Sequence, residues 1–161
     1  NAAIKAVAAT QASGLPALSD DSGVCIDALD GAPGLFSANW AGPGKDFAPA
    51  IARVQIELAK RGALKPEQRR AHFVSALVIA WPDGHQELFE GRVFGTITEQ
   101  ARGASGFGYD PIFQPDGHDR TFGEMGSEEK HGSDWSHPAG ALSHRARAFQ
   151  ALAAACLRKP A

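Results

Sequence analysis

The sequence predicts an α/β fold with a mixed sheet, and three observations carry that prediction. Apolar residues recur at helical spacing in separate stretches, β-rich runs lie between those stretches, and two such runs are joined by a Pro-Asp-Gly turn. At 161 residues the chain is one domain's worth, long enough to bury a core.

Residues 1–12, NAAIKAVAATQA, place Ile4, Val7 and Ala8 on one helical face with Lys5 off it, and Ser13-Gly14 ends the helix. A strand follows to about Ser19, in which Leu15, Ala17 and Leu18 are expected to be buried. VCIDAL (24–29) reads as a second strand with Val24 and Ile26 inward. Asp20 and Asp21 then fall at a chain reversal. If they instead continue the strand, the period of two sends their side chains to opposite faces. DGAPG (30–34) is a turn cluster. Phe47, Ile51, Val54 and Leu58 fall at i, i+4, i+7 and i+11, which makes 46–61 an amphipathic helix.

AHFVSALVIAW (71–81) and HQELFEGRVFGTIT (85–98), joined by Pro82-Asp83-Gly84, form a hairpin signal. GASGFGYDPIF (103–113) is glycine-rich and closes on a short aromatic strand. Residues 114–142 are polar and irregular, with a short helix around Glu124 to Lys130. SHRARAFQALAAACL (143–157) is a helix beginning near Ser143, with Phe149, Leu152, Ala153 and Cys156 as its buried stripe.

Composition excludes several classes. Apolar content of 43% and charged content of 21% are ordinary for a globular protein. A net charge of −2 gives no footprint for nucleic acid or an anionic membrane. No run approaches the roughly 18 to 20 apolar residues of a spanning helix, and no signal-peptide pattern opens the chain. Cys25 and Cys156 each lie in an apolar stretch, which predicts two buried free thiols and a reducing compartment, the cytoplasm. The chain starts at Asn1, already in a helical pattern, so a preceding segment is expected. KRGALKPEQRR (60–70) reads as a solvated linker. Asp116, His118 and Asp119 read as a surface turn, and Trp40, Trp81 and Trp135 as core or interface. His131 and His137 have no third ligand at metal-site spacing and read as solvated histidines.

Three stretches could carry chemistry: SDDSG (19–23), SGFGYDPIF (105–113) and EEK (128–130) with SHR (143–145). Each alone has an ordinary explanation: a solvated turn, a packed aromatic strand with glycines at a bend, a helix start with a basic face. Together they resemble a nucleotide site. Aspartates are hard oxygen ligands suited to Mg²⁺, which binds through one or two carboxylates plus substrate phosphates. Lys5, Lys130 and Arg145 supply positive charge, Phe107 a stacking surface, and Ser143-His144-Arg145 donors at a helix start.

NAAIKA (1–6), LPALSDDSGVCIDALDGAPG (15–34), GFGYDPIF (106–113), TFGEMGSEEK (121–130) and LSHRARA (142–148), in that order, resemble the motifs of the inosine/xanthosine triphosphate pyrophosphatase family. The match runs from Asn1 to about Leu157. The resemblance implies hydrolysis of non-standard purine nucleoside triphosphates (dITP, ITP, XTP) to the monophosphate and pyrophosphate, with Mg²⁺ required. It implies an elongated three-layer α/β fold around a central mixed sheet, split by a deep nucleotide-binding cleft, and a homodimer whose partner molecule is otherwise a small nucleotide, not nucleic acid or membrane.

Residue by residue, Asp21 matches the family's proposed general base and metal-associated carboxylate, with Asp20 in support at the metal and Ser22 a substrate contact. Lys5 and Lys130 match lysines at the nucleotide and its phosphates. Phe107, Gly108, Tyr109 and Asp110 match the segment that brackets the base, and His144 and Arg145 the pair that reads the purine.

The sequence departs from the family pattern in three places. The strand, Thr/Ser-Asn-x-x-Lys loop, helix and acidic residue that precede NA in the family are not in this sequence. The resemblance therefore implies a single pyrophosphatase domain over 1–161, incomplete at its N-terminus. Asn39 stands where many members have arginine. HGSDWSHPAGAL (131–142) is longer than the usual link and is expected to form a lid-like loop. Two other readings stay open: a sister pyrophosphatase for modified pyrimidines, against which the SHR and FGYD motifs speak, and a nucleotide-binding protein without catalysis.

Overall fold

A computed structural model describes residues 1–44, 46–132 and 141–156. In chain order the elements are α1 (Ala2–Ser13), β1 (Ala17–Ile26), α2 (Ser37–Trp40), α3 (Ala48–Lys60), β2 (Arg70–Ala80), β3 (Gln86–Ile97), β4 (Phe113–Pro115), α4 (Ser127–His131) and α5 (His144–Cys156). The strands form one sheet in the order β1-β2-β3-β4. The α/β class is as expected. Every pairing among the described strands is antiparallel, because each connection brings the chain back beside the strand it has just left. The hairpin is where the sequence puts it, with Trp81 N–H bonded to the His85 carbonyl and Gly84 N–H to that of Trp81.

The opening segment departs most from expectation. SDDSG is no reversal: β1 runs unbroken through it, with Asp20 opposite Leu77 and Asp21 opposite Ala76 on β2. The pleat sends the two carboxylates to opposite faces, and each meets a cation there, so charge at mid-strand needs no turn to reach water. β1 is an outer strand of the described sheet, and its start is uncovered: Leu15 and Leu18 are exposed, while Val24 and Ile26 are fully buried.

On one face lies α1, turned differently from the expected orientation. Ala2, Ala6 and Thr10 face the sheet and Ile4 faces solvent, because the small side chains let the helix lie close against Val78 and Ala80. Thr10 Oγ1 donates to the Ala80 carbonyl at 3.0 Å, and Gly14 at φ +69° closes the helix with its N–H on the Thr10 carbonyl.

The main core fills the other face. Ala50, Val54 and Leu58 of α3 pack with Val24, Phe73, Val93, Ile97, Phe113 and Phe122. The Phe73 and Phe113 ring centroids are 4.5 Å apart. Each buried Val, Leu, Ile or Phe among them contributes about 1.5–3 kcal/mol. The result is three layers: α1, the sheet, and α3 with α5 and the aromatic segment.

α5 rests directly on β3 at Gly91, where a Cβ would stand 2.1 Å from the His144 carbonyl oxygen. Its buried residues are His144, Ala146 and Ala148. Phe149, Leu152 and Ala153 are half-buried, and Cys156 is exposed, with its Sγ 3.8 Å from Glu87 Oε2 of β3. The expectation of two buried thiols is therefore not met: Cys156 is exposed and Cys25 only half-buried. The basic linker holds two buried residues, Ala63 and Arg69, and Arg69 donates to the carbonyls of Ile97, Ala63 and Thr98 and to Gln55. Trp40 and Trp81 are half-buried. Trp135, His137 and the rest of the expected lid from 133 to 140 lie outside the described residues, as does Leu157. Among the described residues no helix is long and apolar enough to cross a membrane.

Candidate functional site

On the core face, beside β1 and β2, the glycine-rich segment and the α4–α5 junction enclose a cavity of about 430 Å³. Asp20, Ser22, Phe107, Gly108, Tyr109, Asp110, Lys130, His144 and Arg145 all line it. Lys5 and Asp21 do not, since the sheet stands between them and the cavity.

The floor is a buried ion pair. Lys130 Nζ lies 3.1 Å from Asp110 Oδ2, with side chains 6% and 11% exposed. Burial raises the Asp110 carboxyl above its usual range even with Lys130 beside it. Gly106, at φ +79°, lets the backbone pass over this pair: a Cβ there would lie 2.0 Å from Asp110 Oδ2. Phe107 N–H, next along, donates to the same oxygen at 3.3 Å. Phe107 itself projects its ring outward at the rim.

Tyr109 turns inward, packs edge-on against Phe47 and donates its hydroxyl to the Ser37 carbonyl at 2.9 Å. Burial pushes this phenol up to about 12. Tyr109 thus shapes the wall and has its hydroxyl hydrogen already engaged.

One side is the start of α5. Ser143 Oγ accepts from Ala146 N–H at 3.2 Å as an N-cap, and the backbone N–H groups of Leu142 and Ser143 donate to the Lys130 carbonyl. This junction fixes His144 and Arg145. His144 stacks on Phe73 at 4.8 Å and 14°, and burial, reinforced by Arg145, pushes its imidazole down to about 4. It is therefore neutral at pH 7, and its buried Nδ1 has no partner among the described residues.

Arg145 Nε donates to Asp20 Oδ2 at 2.6 Å, Nη2 donates to Ser22 Oγ at 3.3 Å, and the guanidinium sits 5.5 Å from the Phe107 ring centroid. Asp20 Oδ1 accepts from Ser22 and Ser75, each at 3.0 Å.

Across the sheet, Lys5 Nζ donates to Asp21 Oδ1 at 3.0 Å, while Asp21 Oδ2 is buried with no partner among the described residues. A buried carboxylate oxygen with no donor fits a hard cation.

Sequence reasoning missed Gly106, Phe73, Phe122 and Ser37 in the wall, and Ser75 behind it. Gly106 lay inside a quoted motif, and Phe73 lay in the β-rich run of 71–81, which nothing in the sequence tied to a cavity. Asn39 is exposed and does not line the cavity.

An aromatic-walled cavity with two ion pairs, Lys130–Asp110 and Arg145–Asp20, thus lies against the sheet of an α/β protein. The chain belongs to the Ham1 family, whose model matches residues 1–155. It is 63% identical over 161 residues to the dITP/XTP pyrophosphatase of Agrobacterium fabrum, covering 98% of this chain and 74% of that one. To the dITP/XTP pyrophosphatase of Bradyrhizobium diazoefficiens it is 62% identical over 158 residues, with the same coverage. Among solved structures, a HAM1 protein from Coxiella burnetii superposes with a TM-score of 0.83 at 36% identity, covering 95% of this chain and 73% of that one. A nucleoside-triphosphatase / dITP/XTP pyrophosphatase from Mycobacterium abscessus does so at 0.73 and 42% identity, covering 81% of this chain and 67% of that one.

Proposed function

We propose that this chain hydrolyses non-standard purine nucleoside triphosphates, dITP, ITP and XTP, to the monophosphate and pyrophosphate. One observation carries the reading. Both cavity carboxylates, Asp20 and Asp110, are already paired with Arg145 and Lys130, so what these two pairs offer a ligand is the unshared hydrogens of the guanidinium and the ammonium. Such a cavity accepts a purine with a carbonyl oxygen at position 6. Adenine offers an amino group there and leaves buried donors unpaired, at about 1–3 kcal/mol each. Phe107 at the rim supplies a face for the base. The named activity of relatives at 63% and 62% identity supports the same reading.

The phosphates fall to the other face of β1. In this proposal Lys5 binds them and Asp21 accepts the proton of the water that attacks the α-phosphorus. Asp21, whose Oδ2 is buried without a partner among the described residues, would hold Mg²⁺ together with the substrate phosphates. Asp20, with three donors on its two oxygens, acts in the cavity instead. Mg²⁺, when bound, neutralises charge on the phosphates and the leaving pyrophosphate. The homodimer and cytoplasmic location belong to the same proposal, and sedimentation of the purified protein tests the former.

The decisive assay supplies dITP, XTP, dGTP and dATP separately with Mg²⁺ and identifies the products. Monophosphate and pyrophosphate form fastest from dITP or XTP, and Asp21→Asn abolishes turnover. Binding without turnover of any of them refutes the enzyme reading and leaves a nucleotide-binding protein.

A further inference from the structure

Ser75 lies on β2, is fully buried and does not line the cavity. A hydroxyl on a core-facing strand position costs free energy unless it is bonded. Its partner is Asp20 Oδ1 at 3.0 Å. Ser75 and Ser22 are cross-strand register partners, with Asp20 two residues before Ser22 on the same face, so the sheet itself holds the three groups together.

The bonds form a closed ring. Arg145 Nε donates to Asp20 Oδ2, Arg145 Nη2 donates to Ser22 Oγ, and the Ser22 hydroxyl donates to Asp20 Oδ1. Ser75 donates into that ring from outside. Among the described residues Arg145 Nη1 donates to none, and it is the part of the guanidinium left for a ligand. With the Nε edge bound, rotation of the guanidinium is restricted and the free amino group keeps one direction.

We infer that Ser75 is a positioning residue for base selection: through Asp20 it fixes the guanidinium of Arg145 that reads the purine carbonyl. Arg145 alone has several rotamers, and Asp20 with Ser22 alone is a ring that can tilt as a unit. The bond from β2 ties that ring to the centre of the sheet. Ser75 therefore acts on recognition of the base and not on the phosphates, which lie across the sheet with Lys5 and Asp21.

The inference rests on the proposed function, and the test separates the two. Ser75→Ala, Ser75→Thr and Arg145→Ala are each assayed for dITP and dATP hydrolysis, with inhibition by inorganic pyrophosphate as a base-free control. Ser75→Ala raises KM for dITP about tenfold, the loss of one hydrogen bond to a charged group. It leaves kcat and pyrophosphate inhibition within about twofold, and it narrows the dITP/dATP discrimination ratio. Ser75→Thr, which keeps the hydroxyl, restores the ratio.

Equal loss for dITP and pyrophosphate, or failure of Ser75→Thr to restore discrimination, overturns the positioning role and marks Ser75 as a packing residue. If Arg145→Ala abolishes discrimination while Ser75→Ala leaves it intact, only this inference falls. If Arg145→Ala itself leaves discrimination intact, the reading of the cavity falls with it.

Discussion

Removing Lys130 from the cavity floor gives a pH-dependent loss of stability whose size follows from burial. Lys130→Met keeps the apolar stem and deletes the ammonium, leaving Asp110 unpaired at 11% exposure. Truncating one partner of a buried pair costs about 3–5 kcal/mol. The carboxyl has an escape: it takes up a proton. Neutralising a group of pKa about 3.9 at pH 7 costs at most about 4 kcal/mol, at 1.36 kcal/mol per unit. Asp110 is already raised in the intact protein, so the expected loss is about 3 kcal/mol at pH 7. In the variant the native state holds a proton that the unfolded chain lacks between pH 4 and 7. Stability therefore falls as pH rises, and the gap from wild type shrinks below about 1 kcal/mol near pH 4.5. Urea unfolding of both proteins at pH 4.5 and 7.5 measures this. An equal gap at both values refutes the reasoning, because the cost then lies in packing and not in Asp110's charge.

Three further outcomes are expected. His144, neutral with a folded value of about 4, confers stability fully present above its unfolded value of about 6.5 and lost as pH falls toward 4. Wild type should lose about 3 kcal/mol relative to His144→Gln across that window, read from unfolding curves. Gly91→Ala drives a methyl into the backbone of α5 at His144 and Ala148, which should cost about 2 kcal/mol or more in thermal unfolding and weaken nucleotide binding with it. Tyr109→Phe removes the hydroxyl bonded to the Ser37 carbonyl, lowering stability by about 1 kcal/mol while KM for dITP changes less than threefold.

The elements were legible where periodicity spoke: α3 from its four-residue spacing, the β2–β3 hairpin from Pro82-Asp83-Gly84. Resemblance of ordered motifs brought together the residues of the cavity. Two charged residues in an apolar run read locally as a turn, and only pairing with Lys5 and Arg145, 16 and 125 residues away, lets them stay in a strand. The inward face of α1 was misread because Ile4 outweighs alanine on any hydrophobicity scale, whereas close approach to the sheet favours the smaller side chain. Arg69 could not be told from its solvated neighbours, since what buries it is a set of carbonyls at the far ends of other elements. Ser75 has no sequence signal at all.

The bond between Asp20 and Arg145 spans 125 positions and has a consequence for the order in which the molecule becomes competent. During synthesis β1 and β2 can pair as soon as both have left the ribosome, yet one wall of the cavity arrives only with α5. Until then Asp20 lacks its Arg145 partner, and the partly made chain has Phe107 and the Lys130–Asp110 floor but not the wall that carries the guanidinium. The cavity is therefore complete only once α5 has docked. Protection by a ligand in pulse-labelled chains would report the docking of that helix as a single late event.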